Sequence, residues 1–357
     1  MTPRHILVTG GAGFIGSCFV RRALGADPRT RVTVLDKLTY AGNRDNLREV
    51  EDDADRRERL RVIVGDITDT ALVRTLVADC DSVVNFAAET HVDRSILDPT
   101  AFLATNVGGV HALLEVCRGE HERAARGERQ GSPRFLQVST DEVYGSVESG
   151  ESREDDRLAP RSPYAAAKAA GELLAFSYAI TFGLDVVVTR GANTYGPYQY
   201  PEKLIPLFVT NAIDDQPLPL YGDGMQRRDW LYVDDHADAI RYVLQHGVTG
   251  TAYNIPGARE TTNREVVGAL LAQLDKSWSL VRSVADRPGH DRRYAMSGQR
   301  VAALGWRHRV AFEHGIAQTI DWYVANERWW RPLRSGDWKD YYARQYAERL
   351  ATSTAAD

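Results

Sequence analysis

The stretch Thr9-Gly10-Gly11-Ala12-Gly13-Phe14-Ile15-Gly16 decides the fold of the first half of this chain. It follows an apolar run that begins at His5, and it opens a segment with helical spacing. Gly10 permits the tight turn, Gly13 lets the backbone approach a pyrophosphate, and Gly16 lets the helix pack closely on the strand. A strand, a glycine turn and a helix N-terminus in this order predict a site for the phosphates of a dinucleotide.

Further apolar runs alternate with helical segments along the first half of the chain. They cover residues 31–36, 61–64, 82–86, 135–139 and 185–189. Strands that are apolar throughout and separated by helices are typical of a parallel sheet with helices on both faces. The pattern therefore predicts an α/β fold with a Rossmann-type doubly wound parallel sheet.

The pattern changes after residue 195, where prolines crowd a short stretch and the elements become shorter. We therefore expect three parts. Residues 1–195 form the dinucleotide-binding domain that carries the catalytic residues, and residues 196–335 form a smaller C-terminal α/β region with some strand exchange between the two. Residues 336–357 form a C-terminal tail.

Composition excludes several classes of protein. The formal net charge is -5, so no basic face favours nucleic acid. No apolar run approaches the ~20 residues of a membrane helix, and the N-terminus lacks the pattern of a secretion signal. Cys18, Cys80 and Cys117 are too few and too scattered for a disulfide framework or a zinc site. We expect no metal, no membrane partner and a reducing cytoplasmic location.

Asp36 is the residue that selects the dinucleotide. It ends the second apolar run, 20 residues past Gly16. A carboxylate at this position accepts hydrogen bonds from the ribose hydroxyls and repels a 2′-phosphate, which favours NAD over NADP. Lys37 follows directly and weakens this preference, because a cation tolerates a phosphate.

The run Ser162-Pro163-Tyr164-Ala165-Ala166-Ala167-Lys168 suggests a proton-transfer site. Ser162 suits a helix N-cap and Pro163 the first helical position, so Tyr164 and Lys168 share one helix face at i and i+4. An ammonium near a phenol is expected to lower the pKa of the phenol. The pair can then take a proton from a sugar hydroxyl while hydride leaves the same carbon. Isolated Tyr-x-x-x-Lys pairs are common by chance, and this one gains weight from following a dinucleotide fingerprint.

Two adjacent carboxylates follow the fifth apolar run, in Ser139-Thr140-Asp141-Glu142. The carboxyl edge of a parallel sheet is where such folds place their chemistry. Neighbouring carboxyls in a closed site have pKa values that split, so one serves as an acid and the other as a base. Elimination of water needs such a pair. The residues alone fit an acidic loop or a helix cap equally well.

These stretches carry a family resemblance. The chain resembles the extended short-chain dehydrogenase/reductase superfamily and, within it, the dTDP-glucose 4,6-dehydratase family, from Ile6 to about Trp330. The matching stretches are TGGAGFIGS, LDKLTYAGN, AAETHVDRS, STDEVYGS, SPYAAAKA, NTYGPYQYPEKLIPLF, YGDG, RRDWLYVDDHA, YNIPG and DRPGHDRRYA. Related 4-epimerases and decarboxylases share the glycine turn and the Tyr/Lys pair. They and other NAD-dependent nucleotide-sugar dehydratases remain the alternative, for example on a UDP-sugar.

The resemblance implies a lyase of deoxysugar biosynthesis that converts dTDP-glucose to dTDP-4-keto-6-deoxyglucose. Tyr164, assisted by Lys168, would take the C4 hydroxyl proton as hydride passes to NAD. Glu142 would remove the C5 proton, and Asp141 would protonate the departing C6 hydroxyl. Hydride then returns to C6. Thr140 would hydrogen-bond the sugar near C4.

The same resemblance assigns the binding residues. The expected NAD contacts are Gly10, Gly13, Phe14, Ile15, Gly16, Asp36, Lys37, Leu38, Thr39, Asp66, Ile67, Ala87, Ala88, Thr105, Ser139, Tyr164, Lys168 and Asn193. The expected nucleotide-sugar contacts, mostly in residues 196–335, are Thr90, Asn193, Lys203, Leu204, Pro219, Tyr221, Arg228, Asn263, Arg287, His290 and Tyr294. Arginine suits a diphosphate through bidentate pairing, and a tyrosine ring can stack on a base.

The chain departs from the family in one stretch before Tyr-Gly-Pro. Where the family usually shows Cys-Ser-Asn-Asn, this sequence has Gly191-Ala192-Asn193-Thr194. Thr194 replaces the second amide, which bears on cofactor placement or substrate preference but not on the reaction class. The resemblance also implies a homodimer, formed through the helices around residues 105–117 and after Pro163. A module of this fold that binds NAD and catalyses nothing is disfavoured, because both proton-transfer pairs are present.

Overall fold

The computed structural model describes residues 4–286 and 290–355, and the apolar runs of the sequence form its strands. Each of the six strands predicted for the first half is present, with ends that differ by at most two residues. The strands are β1 (His5–Thr9), β2 (Arg31–Asp36), β3 (Leu60–Val64), β4 (Ser82–Asn85), β5 (Arg134–Thr140), β6 (Val186–Gly191), β7 (Asn193–Tyr195), β8 (Leu218–Tyr221), β9 (Arg227–Tyr232), β10 (Thr251–Ile255), β11 (Arg259–Thr262), β12 (Val281–Val284) and β13 (Thr354–Ala355).

The main sheet has seven parallel strands in the order β10-β6-β5-β4-β1-β2-β3. The chain reverses its direction of winding between β1 and β4, which is the arrangement of a doubly wound fold. The predicted Rossmann-type α/β class is therefore confirmed. All these strands point their carboxyl ends to one edge, and the glycine turn and the acidic turn lie at that edge.

Helices follow most strands and cover the sheet. They are α1 (Phe14–Ala26), α2 (Arg48–Glu51), α3 (Ala54–Glu58), α4 (Thr70–Val77), α5 (Val92–Leu97), α6 (Thr100–Leu103), α7 (Val110–Ala125), α8 (Pro163–Phe182), α9 (Leu204–Ile213), α10 (Val233–His246), α11 (Asn263–Gln273), α12 (Gln299–Leu304), α13 (Phe312–Ala325), α14 (Glu327–Leu333) and α15 (Asp337–Ala351). Short 3-10 helices span Arg44–Leu47, Asp141–Tyr144 and Trp278–Leu280.

Alternating side chains of the sheet supply two separate cores. Ile6 and Val8 face α1 and α10, whereas Leu7 faces the opposite layer of α4, α7 and α8. This alternation follows from the two-residue period of a strand. Because the central strands bury both faces, their runs read as continuously apolar in the sequence, whereas the edge strand β3 is only partly buried.

One long helix of the sheet's outer layer is unusually apolar. Helix α6, a π-helical turn (Ala104–Gly109) and α7 form one continuous helix, Thr100–Ala125. Among the described residues it is long and apolar enough, by length and composition alone, to cross a membrane. Half of its most apolar 18-residue stretch is buried inside the fold, where the helix packs between α4 and α8. A core position accounts for this composition.

The C-terminal half adds two small sheets, β11-β9-β7 and β13-β12-β8. Their core contains Trp230, Tyr323 and Trp330, packed beside α9, α11 and α13. Strand β10 and helix α10 come from this half of the sequence but belong to the main sheet and its helix layer, so the halves exchange elements. The exact borders at residues 195 and 335 stay a prediction.

Residues 336–357 were expected to form a tail, and within them α15 packs against the second region. Trp338, Tyr341 and Tyr346 of this helix are buried. The indole Nε1 of Trp338 donates to the carbonyl oxygen of Pro201 at 2.9 Å, and its ring stacks on Tyr342 with a centroid distance of 4.9 Å. The tail thus takes part in the second core.

Replacing Trp338 with alanine should lower the free energy of unfolding by about 3–5 kcal/mol, the usual cost of deleting a large buried aromatic side chain. Urea denaturation followed by circular dichroism measures this change. Lys339→Ala, at the neighbouring exposed position, should leave the stability within about 0.5 kcal/mol. Equal stabilities of the two variants would contradict the packing role of α15.

Candidate active site

The glycine turn leaves room for a ligand at one position only. Gly10 has a positive φ of 68°, and a Cβ there would lie 2.6 Å from the backbone nitrogen of Ala87. A Cβ on Gly16 would collide with the carbonyl oxygen of Gly10. Gly13 has no such neighbour apart from the Gly10 oxygen at 3.2 Å, and it starts α1 without a side-chain cap. The first N–H groups of α1 are therefore available to an anion.

The carboxylate of Asp36 is held at the end of β2. Its oxygens accept hydrogen bonds from the backbone nitrogens of Ala12 at 2.9 Å and Leu38 at 2.8 Å. Burial raises the pKa of Asp36, and the two hydrogen bonds oppose that rise. Lys37 is engaged elsewhere, with its Nζ 2.7 Å from Asp66 Oδ2. This pairing reduces the ability of Lys37 to accommodate a 2′-phosphate, so the site favours NAD.

All expected cofactor contacts except Leu38 line one cleft at the carboxyl edge of the sheet. Leu38 has a positive φ of 53° and contributes its backbone nitrogen to Asp36. In the same cleft, Ser139 Oγ and Asn193 Oδ1 are buried and have no hydrogen-bond partner among the described residues. The cleft fits NAD, because Gly13 leaves space for a pyrophosphate, Asp36 can accept hydrogen bonds from a ribose, and buried polar atoms of the cleft lack partners among the described residues.

The acidic turn, Asp141–Tyr144, follows β5 directly, and its first residue is buried. Thr140 Oγ1 accepts a hydrogen bond from the Glu142 nitrogen at 3.3 Å and donates to Asp141 Oδ1 at 3.1 Å. Asp141 is only 3% exposed, and its Oδ2 lacks a partner among the described residues. Burial, followed by the charge of Glu142, raises the pKa of Asp141 to about 8. Asp141 is therefore protonated at neutral pH, the state that a general acid needs.

Tyr164 and Lys168 lie on the first turns of α8, whose N-cap Ser162 accepts a hydrogen bond from Ala165 N at 3.1 Å. Lys168 is 6% exposed, its Nζ donates to the Val138 carbonyl at 2.6 Å, and burial lowers its pKa to about 8. The residues expected to perform proton transfer thus share one cleft with the acidic turn.

The expected lowering of the phenol pKa is not found. The pKa of Tyr164 is raised, first by burial and then by the charges of Glu142 and Asp141. The positive charge of Lys168 does not offset this rise in the pKa of Tyr164, because its ammonium donates to the Val138 carbonyl. A protonated Asp141 removes one of the opposing charges. The same electrostatic coupling shows that the phenol and the two carboxyls converge.

Within the described part of the chain, the expected substrate residues fall into three groups. Thr90, Asn193 and Lys203 line the cleft. Arg228 and Tyr294 do not line it but border the acidic turn, since the charge of Arg228 lowers the pKa of Asp141 while the guanidinium lies 4.5 Å from the Tyr294 ring centroid.

The remaining expected contacts within the described residues do not line the cleft. Tyr221 of β8 and His290 are neighbours with ring centroids 5.9 Å apart, and the Tyr221 hydroxyl accepts from Gln345 Nε2 of α15 at 2.7 Å. Leu204 begins α9, Asn263 begins α11, and Pro219 lies in β8; these three do not line the cleft. Arg287 lies outside the described residues.

The sequence reasoning missed several cleft residues, namely Glu89, Gln199, Tyr200, Glu202 and His236. All five lie inside quoted stretches, which was the available signal: Glu89 in AAETHVDRS, the next three in NTYGPYQYPEKLIPLF and His236 in RRDWLYVDDHA. His236 comes from the distant helix α10, and its Nδ1 lies 2.7 Å from Thr194 Oγ1. Thr194, which departs from the family pattern, therefore forms a hydrogen bond with a buried histidine. Burial lowers the pKa of His236 to about 3, so its ring is neutral.

Among the described residues, no group of three or more His, Cys, Asp or Glu side chains is placed to hold a metal ion. Cys18, Cys80 and Cys117 are free and buried, and they do not line the cleft. The cleft thus presents carboxyl, hydroxyl, amide and amine groups beside the glycine turn.

Replacing Asp141 with asparagine should stabilise the fold at neutral pH. The pKa of Asp141 is about 8 in the folded protein against 3.8 as the reference, so the unfolded state loses its proton first. The stability of the native protein then falls as the pH rises between these values, by an amount on the order of a few kcal/mol. Thermal denaturation should show the Asp141→Asn variant to be more stable than the wild type at pH 7, with a difference that shrinks towards pH 4. If the wild type and the variant had equal melting temperatures at both pH values, the raised pKa of Asp141 would be refuted.

Comparison with known proteins agrees with this geometry. The family described as GDP-mannose 4,6 dehydratase matches residues 7–319. A dTDP-glucose 4,6-dehydratase of Streptomyces niveus is 52% identical over 338 residues, which cover 93% of this chain and 96% of that protein. The dTDP-glucose 4,6-dehydratase 1 of Escherichia coli (strain K12) is 42% identical over 96% of this chain and 99% of its own length.

Solved structures give the same result. The dTDP-glucose 4,6-dehydratase of Streptomyces venezuelae, solved with NAD bound, has a TM-score of 0.86 and 50% identity over 92% of this chain and 99% of that one. The UDP-glucose 4-epimerase of Thermus thermophilus, also solved with NAD, has a TM-score of 0.79 and 31% identity over 90% and 99%. With the buried acidic turn beside a Tyr/Lys pair, these similarities show that the chain belongs to the NAD-dependent nucleotide-sugar 4,6-dehydratase family and, within it, groups with the dTDP-glucose 4,6-dehydratases.

Proposed function

We propose that this protein is a dTDP-glucose 4,6-dehydratase that forms dTDP-4-keto-6-deoxyglucose. The observation that carries the proposal is the pair Asp141 and Glu142, which lies in one cleft with Tyr164, Lys168 and the glycine turn. Oxidation at C4 needs only the Tyr164 and Lys168 side chains beside the dinucleotide. A second acid and base beside them suit the removal of water from the neighbouring carbons.

The first step is the removal of the C4 hydroxyl proton. Tyr164 accepts this proton as the phenolate, a form that burial and the two carboxyls disfavour without a bound dinucleotide. The positive charge that NAD brings when bound, together with Lys168 one helical turn away, would favour that form. The chemistry that NAD supplies when bound is the acceptance of the C4 hydride and its return to C6. The C4 ketone acidifies the C5–H bond.

The acidic turn then carries out the elimination. Glu142 takes the C5 proton while Asp141, protonated at neutral pH, gives its proton to the C6 hydroxyl, which leaves as water. A C5=C6 double bond remains. Once C6 is reduced, a proton returns to C5, and the net change is oxidation at C4, reduction at C6 and loss of one water. Thr140, hydrogen-bonded to Asp141, orients the acid.

The test is a panel of nucleotide sugars, including dTDP-glucose and UDP-glucose, read by mass spectrometry. We expect dTDP-glucose to lose one water without added reductant. A 4-epimerase would change no mass, and a decarboxylase would lose carbon dioxide from an acidic sugar. If NAD is bound but no nucleotide sugar is converted, the protein is a module that binds NAD without catalysis, and the proposed enzymatic function is refuted.

Glu142→Gln should block elimination but not C4 oxidation, because Tyr164 and Lys168 are untouched. Turnover should fall by at least about 10²-fold. The near-ultraviolet absorbance of the reduced nicotinamide should persist after substrate is added. Glu148→Gln, at an exposed position beyond the same turn, is the matched control and should retain turnover. Full turnover of the Glu142 variant would mean that another group is the C5 base.

We also propose a homodimer, supported by an exposed apolar stripe on α8. Ala166, Leu173 and Ile180 are exposed at seven-residue spacing, so they share one helix face. Ile180 is 86% exposed and Leu173 is 56% exposed, and Leu103 of the adjacent helix extends the patch. Contiguous apolar surface of this kind marks a protein contact. Helices α7 and α8 pack side by side, so a second copy would complete a four-helix layer.

Light scattering after gel filtration tests the dimer. The wild type should run as a dimer, and the double variant Leu173→Glu/Ile180→Glu should run as a monomer because charges replace the apolar stripe. Val324→Glu, at an exposed apolar position on α13, should leave the mass unchanged. A monomeric wild type contradicts the proposal.

A cytoplasmic location is also proposed, and the chemistry of the cysteines supports it. Cys18, Cys80 and Cys117 are free and buried, and burial raises the pKa of each thiol. Inert reduced thiols suit a reducing compartment.

A further inference from the structure

A buried chain of polar side chains connects the two catalytic segments beneath the cleft. Glu172 lies one turn after Lys168 on α8, Arg190 lies on β6, and Tyr144 ends the 3-10 turn of the acidic residues. Their exposed fractions are 0%, 4% and 6%. Neither the reaction described above nor the sequence motifs assign them a role.

The contacts are short and directional. Arg190 Nη2 lies 2.7 Å from Glu172 Oε1, and its Nε also donates to that carboxylate at 3.1 Å. Arg190 Nη1 donates to the Tyr144 hydroxyl at 2.5 Å. The guanidinium lies 4.9 Å from the Tyr144 ring centroid. The planar guanidinium of Arg190 therefore contacts Glu172 of α8 through one edge and Tyr144 of the acidic turn through the other.

The far side of Tyr144 is anchored as well. Its hydroxyl donates to Asn254 Oδ1 of β10 at 2.8 Å, and Asn254 Nδ2 donates to the Ser152 carbonyl at 3.1 Å. The next residue, Gly145, has a positive φ of 74°, and a Cβ there would collide with the carbonyl oxygen of Ala159. The end of the turn is thus held from several sides, while Thr140 holds its beginning.

Such a cluster is costly to bury, so its place in the fold is informative. A buried ion pair adds little net stability over an apolar packing of the same volume, but it imposes a defined geometry. Here that geometry relates α8, which carries Tyr164 and Lys168, to the turn that carries Asp141 and Glu142. The Arg190 fork, the Glu172 carboxylate and the Tyr144 hydroxyl are all paired within the described residues.

We propose that Arg190 and Tyr144 are positioning residues that set the acidic turn against the Tyr164/Lys168 face of α8, and thereby control the elimination step. This role rests on the proposed function. C4 oxidation uses groups on α8 alone and does not need the link. Elimination needs the carboxyls at C5 and C6 while the sugar stays bound to Tyr164, so a small displacement of the turn slows that step selectively.

Tyr144→Phe tests this role, because it keeps the ring over Arg190 and removes only the hydroxyl that joins the guanidinium to the turn. We expect kcat to fall by about tenfold or more, with KM changed less than about twofold, since substrate binding is untouched. In stopped flow, C4 oxidation should proceed at the wild-type rate, and the reduced nicotinamide should then accumulate.

Tyr242→Phe is the matched control. It removes a tyrosine hydroxyl that donates to the Leu304 carbonyl at 2.9 Å, on α10 and outside the cluster, and it should leave both steps unchanged. Unchanged kinetics in Tyr144→Phe would overturn the proposal. Equal slowing of both steps, with a lowered melting temperature, would also overturn it by showing a merely structural role.

The wild-type reaction separates this proposal from the proposed function. If the wild type eliminates water and the variant matches it, only the positioning role fails. If the wild type epimerises its substrate and eliminates nothing, the proposed function fails, and the positioning role fails with it.

Discussion

The burial of the Asp141 carboxyl is the constraint on which the site depends. A carboxyl that is 3% exposed beside a second carboxyl keeps its proton at neutral pH. That state costs stability, but in the proposed reaction it supplies an acid next to a base on consecutive residues. The arrangement also raises the pKa of Tyr164, so the protonation of Asp141 and the basicity of the phenol are coupled. The acidic turn therefore has to be held firmly against α8.

The fold supplies that support from distant parts of the chain. β6 brings Arg190, β10 brings Asn254, and β9 brings Arg228 to the same turn. Strand β10 belongs to the main sheet although it comes from the C-terminal half. The exchange of elements between the two halves thus brings residues of the C-terminal half, such as Asn254, into contact with the acidic turn of the first half.

The sequence predicted most of the cleft because its residues are local to motifs. The glycine turn, Asp36, the acidic turn and the Tyr164/Lys168 pair each depend on spacing within one strand end or one helix. Each lies at the carboxyl edge, where the alternation of strands and helices placed it. Tyr221 and His290 lie in the matching stretches YGDG and DRPGHDRRYA, whereas Asn263 lies in none of them, and these three side chains do not line the cleft.

What the amino-acid order determined by itself was the parallel α/β architecture, the dinucleotide turn and the helical spacing of Tyr164 and Lys168, because backbone periodicity and short-range geometry decide them. Only the tertiary structure decided the protonation of Asp141, the failure of Lys168 to lower the phenol pKa and the pairing of Thr194 with His236. Those properties follow from desolvation and from contacts between residues far apart in the chain, which no local pattern encodes.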